Sequence, residues 1–305
     1  MTSQIKLSVM DAIGNTPIVR LSRLFTEANV AAKLEYMNPG GSIKDRMVRY
    51  MLQKMPAGTR HVVESSSGNT GAALSMASAV LGLECDIALP STTSVEKVKR
   101  IEAYGARVHL CSPGDKSHQA LDYHAVAEKL ADETGAYHLD QYCSELNRQA
   151  HYYDTGPELW SQLDGEIDVF ICGIGSGGTI SGIGRYLKEA KPEVMVIGVE
   201  PVNSAYRKLV TDVPSNGPYA TMIEGVGKVS PSRSFDPTVV DDVIQVHDTD
   251  ALDFCHRLAK EEGILVGGSS GCVGAGIAQV LPHLHGKRIV TIFPDSGTFY
   301  LSKYF

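Results

Sequence analysis

The sequence predicts an α/β fold in which mostly parallel sheets are covered by helices, arranged as two lobes. Short apolar runs bounded by turn residues alternate with helical patterns from Ile18 to Phe293, the signature of parallel strands joined through helices. At 305 residues the chain exceeds one ordinary core. Its polar and glycine-rich loops also cluster just after strands, where open parallel sheets bind ligands. The smaller lobe is expected over 35–145 and the larger over 1–34 and 146–305.

Gly14-Asn15-Thr16-Pro17 is a turn, followed by a short strand over 18–21. A second strand, 31–37, runs into Asn38-Pro39-Gly40-Gly41-Ser42-Ile43-Lys44-Asp45-Arg46. Turn residues fill 38–41, Ser42 can cap the amides that follow, and Ile43, Met47, Met51 and Met55 form one helical stripe. Lys44 lies one residue off that stripe, at the helix start. The strand 61–64 meets Ser65-Ser66-Ser67-Gly68-Asn69-Thr70-Gly71 and a helix over 72–81 of small and apolar residues. Alternation continues through strand 85–89, helix 94–104, strand 107–111, helix 118–133 and strand 137–139, ending at Asp140-Gln141-Tyr142. In the second half, strand 168–172 leads through a glycine loop to helix 179–190, then to strand 194–199. Residues 211–234 read as an irregular loop. Strand 243–246, helix 250–262, strand 264–266, a glycine-serine turn at 267–271, helix 273–281 and strand 288–293 complete the pattern, with Asp295-Ser296-Gly297 beyond.

An apolar fraction of 43% with 30 glycines fits a soluble enzyme with many tight turns, and a net charge of −7 argues against a broad nucleic-acid or anionic-membrane surface. Six cysteines are scattered without a C-x-x-C pair and read as reduced core residues of a cytoplasmic protein. No stretch reads as a signal peptide or a membrane span.

Gly173-Ile174-Gly175-Ser176-Gly177-Gly178-Thr179 follows a strand and opens a helix, and Glu200 ends the next strand. This matches a dinucleotide fingerprint. Its physical content is broader, since unhindered amides at a helix N-terminus bind any phosphate. The turn at Ser66–Thr70 can hold a carboxylate through amides and hydroxyls or simply cap the helix, two readings of about equal weight. Lys44, if partly desolvated beside backbone amides, is suited to imine chemistry; the plainer reading is a solvated surface lysine. Gln141 and Ser296 are polar residues at strand ends, where exposure is the default. His151, His283 and His285 lack companions at metal-ligand spacing, so no metal site is expected.

Together, the Asn-Pro-Gly-Gly-Ser-x-Lys-Asp-Arg turn, Ser-Gly-Asn-Thr-Gly, Gly-x-Gly-Ser-Gly-Gly-Thr and the Pro-Asp-Ser-Gly ending make the chain resemble the cysteine synthase and cystathionine β-synthase family of pyridoxal-phosphate enzymes. That family has the two-lobed tryptophan synthase β-like fold, PLP fold type II, and the resemblance runs from Gly14 to Ser302. It implies that Lys44 carries the cofactor as an imine and acts as acid and base. It implies that Gly175, Ser176, Gly177, Gly178 and Thr179 hold the phosphate, Asn69 the ring hydroxyl, and Ser66, Ser67, Thr70 and Gln141 the substrate carboxylate. Gly225 would approach the substrate amine and Ser296 would face the pyridine nitrogen. A neutral hydroxyl there makes the ring a weaker electron sink than an aspartate would, favouring loss of a β-leaving group to give aminoacrylate. Adjacent Asp295 is the alternative for that place, and since neighbours on an extended segment face opposite ways, only one of the two can point at the ring.

The implied reaction is β-replacement on O-acetylserine, O-phosphoserine or serine by a small-molecule nucleophile, in a homodimer. Some features depart from an ordinary cysteine synthase. Residues 54–60 look short for the family. Residues 266–271 and 300–303 look more like cystathionine β-synthases, although no haem-binding extension or regulatory tandem domain is evident. Residues 34–38 and 141–152 look like the siderophore-linked branch that joins O-phosphoserine to glutamate for 2,3-diaminopropionate. Serine or threonine dehydration is a further enzyme reading, and a nucleotide-binding dehydrogenase, resting on 173–178 and Glu200, is the reading from a different class.

Overall fold

The structure is a computed structural model and describes residues 5–66, 68–111, 122–214 and 217–305. In chain order, β1 (Ile18–Arg20) and β2 (Asn29–Leu34) precede α1 (Lys44–Gln53), β3 (His61–Ser65), α2 (Asn69–Leu81), β4 (Glu84–Pro90) and α3 (Val95–Ala103). Next come β5 (Arg107–Cys111), α4 (Tyr123–Thr134), β6 (Tyr137–His138), α5 (Glu145–Ala150), a π-helical turn (His151–Thr155) and α6 (Gly156–Gln162). The remainder is β7 (Val169–Gly173), α7 (Gly178–Ala190), β8 (Met195–Pro201), α8 (Tyr206–Thr211), β9 (Asp242–Val246), α9 (Asp248–Arg257), α10 (Gly268–Val280), β10 (Arg288–Phe293) and α11 (Leu301–Tyr304).

The chain divides into two compact units, one of residues up to Ile13 with Asn38–Gln141, the other of Gly14–Met37 with Tyr142–Phe305. The first holds a parallel four-stranded sheet in the order β5-β4-β3-β6. Residues 5–13 group with this unit, and 35–37 and 142–145 with the other, against expected bounds of 35–145 for the smaller lobe. For 5–13 the cause is local: Val9–Ala12 forms a 3-10 turn packed near α2, and Arg49 Nη1 donates to the Ile13 carbonyl at 2.8 Å. Ile43, Met47 and Met51 of the expected stripe are buried, whereas α1 ends at Gln53 and Met55 beyond it is half-buried. Along α2 every residue from Thr70 to Ser78 is buried, which its small side chains permit.

The second unit holds a six-stranded sheet in the order β1-β2-β10-β7-β8-β9, parallel except where β1 runs against β2. Its core gathers Val30, Ile171, Val199, Val246, Phe254 and Phe293. The expected glycine-serine turn at 267–271 is instead the first turn of α10, and the expected strand 264–266 reduces to a single bridge, Val266 to Ser296. These residues are not breakers here because they make helix contact possible. A Cβ on Gly271 would lie 2.1 Å from the Ala251 carbonyl oxygen of α9. The helix expected over 118–133 runs from Tyr123 to Thr134; residues 118–121 lie outside the described residues. The sequence reading passed over α5, α6 and α8. Among the described residues, no helix is long and apolar enough to cross a membrane.

Candidate active site

In the first unit, Lys44 is the first residue of α1 and half-buried. Ser42 Oγ accepts the Lys44 amide at 3.3 Å, and the Gly41 amide closes a turn on the Asn38 carbonyl at 2.8 Å. Asp45, almost wholly buried, takes the Gly40 amide at 2.6 Å. A Cβ on Gly40 would sit 2.4 Å from Asp45 Oδ1, so the turn that presents Lys44 closes only on glycine.

The carboxyl ends of β3 and β6 in the same unit bring Ser66, Thr70 and Gln141 together. Ser66 Oγ accepts the amides of Gly68 and Gly71 at 2.9 and 3.0 Å, which leaves its proton to donate. Gly68 has φ +130, a conformation open to glycine. Thr70 Oγ1 donates to Gln141 Oε1 at 2.8 Å, and Gln141 Nε2 donates to the Ser65 carbonyl at 3.1 Å and toward Glu64 Oε1 at 3.4 Å. Burial, then the nearby Asp140 charge, raises the Glu64 carboxyl to about 8, so it is neutral at pH 7. Asn69, half-buried, is the first residue of α2. Ser67 lies outside the described residues.

In the second unit, β7 delivers the glycine loop to the N-terminus of α7. Gly177 is the cap residue, at φ +86, and no side chain caps the first amides of this 13-residue helix. Sequence reasoning missed what braces the loop. Tyr206 hydroxyl donates to the Gly175 carbonyl at 2.6 Å, Ser234 Oγ to the Ser176 carbonyl at 2.5 Å, and Asn147 Nδ2 to Ser176 Oγ at 2.9 Å. His151, fully buried on the π-helical turn, lies 3.2 Å from Thr179 Oγ1 through Nε2 and 2.9 Å from Thr155 Oγ1 through Nδ1. It therefore orients a loop hydroxyl. No local motif marks Asn147, Tyr206 or Ser234; the α5 segment carried a family resemblance but no assigned role.

Gly225, at φ +81, belongs to a loop lying on the glycine loop: the Gly227 amide donates to the Ile174 carbonyl at 2.7 Å, and a Cβ on Gly175 would meet the Gly225 carbonyl oxygen at 2.2 Å. Ser296 is half-buried and its Oγ accepts the Thr298 amide at 3.2 Å. Its neighbour Asp295 is buried and accepts the Tyr300 hydroxyl at 2.5 Å.

Glu200 serves a different purpose from a ribose ligand. It is fully buried, and its carboxylate accepts the Tyr206 and Arg207 amides at 3.0 Å each and Gln245 Nε2 at 2.9 Å. Its oxygens cap α8, which removes the acidic half of the dinucleotide fingerprint. His283 and His285 are exposed.

The second-unit donors fit a cofactor bearing one phosphate: uncapped helix N-terminal amides, flanking Ser176 and Thr179 hydroxyls, and glycines that admit close approach.

Comparison with known proteins agrees. Residues 9–295 match the family described as "Pyridoxal-phosphate dependent enzyme". The chain is 37% identical to cystathionine beta-synthase of Apis mellifera over 99% of its own length, spanning 62% of that relative. It is 38% identical to cysteine synthase of Aquifex aeolicus, covering 97% of this chain and 90% of the relative. Identity is also 38% to N-(2-amino-2-carboxyethyl)-L-glutamate synthase of Cupriavidus metallidurans, over 96% and 88%. A crystal structure of O-ureido-L-serine synthase superposes with a TM-score of 0.86 at 32% identity, covering 98% of this chain and 95% of that one. With its parallel sheets, its lysine turn and its glycine loop, the chain belongs to the family of pyridoxal-phosphate-dependent enzymes.

Proposed function

We propose that this enzyme exchanges the β-substituent of a serine derivative for an incoming nucleophile, as cysteine synthases and cystathionine β-synthases do. When bound, pyridoxal phosphate supplies the electron sink that acidifies the substrate Cα–H and labilises the β-group. The chain's own residues do the rest. Lys44 holds the cofactor covalently at rest, then takes and returns the Cα proton through Nζ. Gly175–Thr179 bind the phosphate, and Asn69 hydrogen-bonds the ring hydroxyl. Ser66, Ser67, Thr70 and Gln141 orient the substrate α-carboxylate, and Gly225 leaves room for the amine.

The observation that carries the reading is the state of Asp295. Its side chain is buried and accepts the Tyr300 hydroxyl, which supports the neutral Ser296 hydroxyl as the group that would face the pyridine nitrogen. That choice favours β-elimination and replacement over transamination or racemisation. Donor acetate, phosphate or water would leave Cβ first, with the Cα proton passed to Lys44; the nucleophile's sulfur or nitrogen would then bond to Cβ as Lys44 returns the proton to Cα. The relative that makes an N-substituted glutamate supports a second version of the same chemistry, with O-phosphoserine as donor and glutamate as nucleophile. The enzyme works as a homodimer in the cytoplasm, the latter supported by its unpaired-thiol cysteine spacing.

The test is an absorbance screen of purified holoenzyme with O-acetyl-L-serine, O-phospho-L-serine and L-serine, followed by sulfide, homocysteine or L-glutamate. One donor should change the spectrum and one nucleophile should restore it. Pyruvate release without any nucleophile would point to dehydration, and a protein that retains no pyridoxal phosphate would sink the reading.

A further inference from the structure

We infer that Tyr304 is a positioning residue that clasps the loop carrying Gly225 and so sets how the substrate amine is received; this rests on the function proposed above. Its hydroxyl accepts the Glu224 amide at 3.0 Å and donates to the Met222 carbonyl at 2.8 Å. It thus grips the backbone on both sides of Ile223, which is itself buried. The next residue is Gly225, whose carbonyl lies against Gly175 of the phosphate loop. The ring of Tyr304 stacks on Tyr300 with centroids 4.8 Å apart, and Tyr300 holds Asp295 beside Ser296. One side chain therefore ties together the Gly225 loop, the phosphate loop beneath it and the Ser296 turn, all in the second unit.

The hydroxyl grips the Gly225 loop, and the ring makes the link to Tyr300. Burial pushes the Tyr304 phenol well above its ordinary value, so it keeps its proton and can donate and accept at once over the working pH range. Lys303 Nζ also reaches Glu224 Oε1 at 2.7 Å, but that pair is partly exposed and contributes little.

Tyr304→Phe preserves the ring and deletes both bonds. The expected result is a roughly ten-fold rise in KM for the amino-acid donor, from two lost hydrogen bonds. The dissociation constant for L-alanine, which has no β-leaving group and is read by absorbance titration, should weaken equally. The kcat should stay within about two-fold, cofactor retention on dialysis should match wild type, and Lys303→Ala should leave KM within about two-fold. The inference is overturned if Tyr304→Phe binds L-alanine like wild type, if cofactor retention falls as KM rises, or if Lys303→Ala reproduces the effect. A wild-type protein that responds to no serine derivative overturns the function proposed above and this inference with it. A responsive wild type matched by the variant removes the inference alone.

Discussion

Replacing Glu64 with glutamine should remove a defined part of the pH dependence of stability. Glu64 is fully buried at the end of β3, and burial followed by the Asp140 charge raises its carboxyl from 4.5 to about 8. In the unfolded chain it titrates at its ordinary value. Between those limits the folded protein binds a proton that the unfolded chain has released, so stability is full below 4.5 and falls as pH rises through the window. At about 1.4 kcal/mol per pH unit, the loss across the whole window is about 5 kcal/mol. Glutamine has no proton to lose and keeps a carbonyl for Gln141 Nε2, 3.4 Å away. The advantage of Glu64→Gln over wild type should therefore grow from near zero at pH 4.5 to several kcal/mol at pH 8. Thermal unfolding of both proteins in half-unit steps reads this directly, at roughly 2 °C per kcal/mol for a chain of this size. A difference that stays constant with pH, or that favours wild type at pH 8, would show that Glu64 is ionised in the fold and refute the argument.

Three further substitutions test the site. Lys44→Ala should abolish turnover, by about 10³-fold or more, and borohydride reduction followed by peptide mapping should find the pyridoxyl adduct at residue 44 in wild type and nowhere in the variant. Gly178→Ala places a Cβ 2.0 Å from Asn147 Oδ1; the loop must shift, at about 1–3 kcal/mol, and cofactor should be lost on dialysis about ten times faster or more. Gly68→Ala meets both the φ of +130 and Lys97 Cδ at 2.4 Å, a strain of about 1–3 kcal/mol. It should raise the donor KM while cofactor retention holds, and unchanged donor binding would show that the Ser66–Thr70 loop does not carry the substrate carboxylate.

What was legible in the sequence is what is local. The stripe of Ile43, Met47 and Met51 and the strand-to-helix placement of both polar loops follow from residues a few positions apart, and the folded chain keeps them. One local reading failed and one segment gave none, each for its own reason. Gly267 to Gly271 looked like a turn because glycine and serine disfavour helix in isolation, yet the contact with Ala251 on α9 repays a small-residue face. The α5 to α6 segment lacks a clean helical period because it is interrupted by a π-turn that buries His151 behind Thr179, and such turns gather at functional sites.

Glu200 shows why the rest was not legible. A glycine loop followed by an acid at the end of the next strand describes a dinucleotide site and this protein equally well, because a sequence pattern records which oxygens exist and not which are already engaged. Here the Glu200 carboxylate is filled by Tyr206, Arg207 and Gln245, and the Tyr206 it anchors turns its own hydroxyl to Gly175. The same acid that suggested a nucleotide therefore stiffens the glycine loop from behind. Such braces join residues distant in sequence, as Asn147 does with Ser176 and Tyr304 with Glu224. Only the sheet order brings them together, so the chemistry of the loop can be read from its own residues while its rigidity cannot.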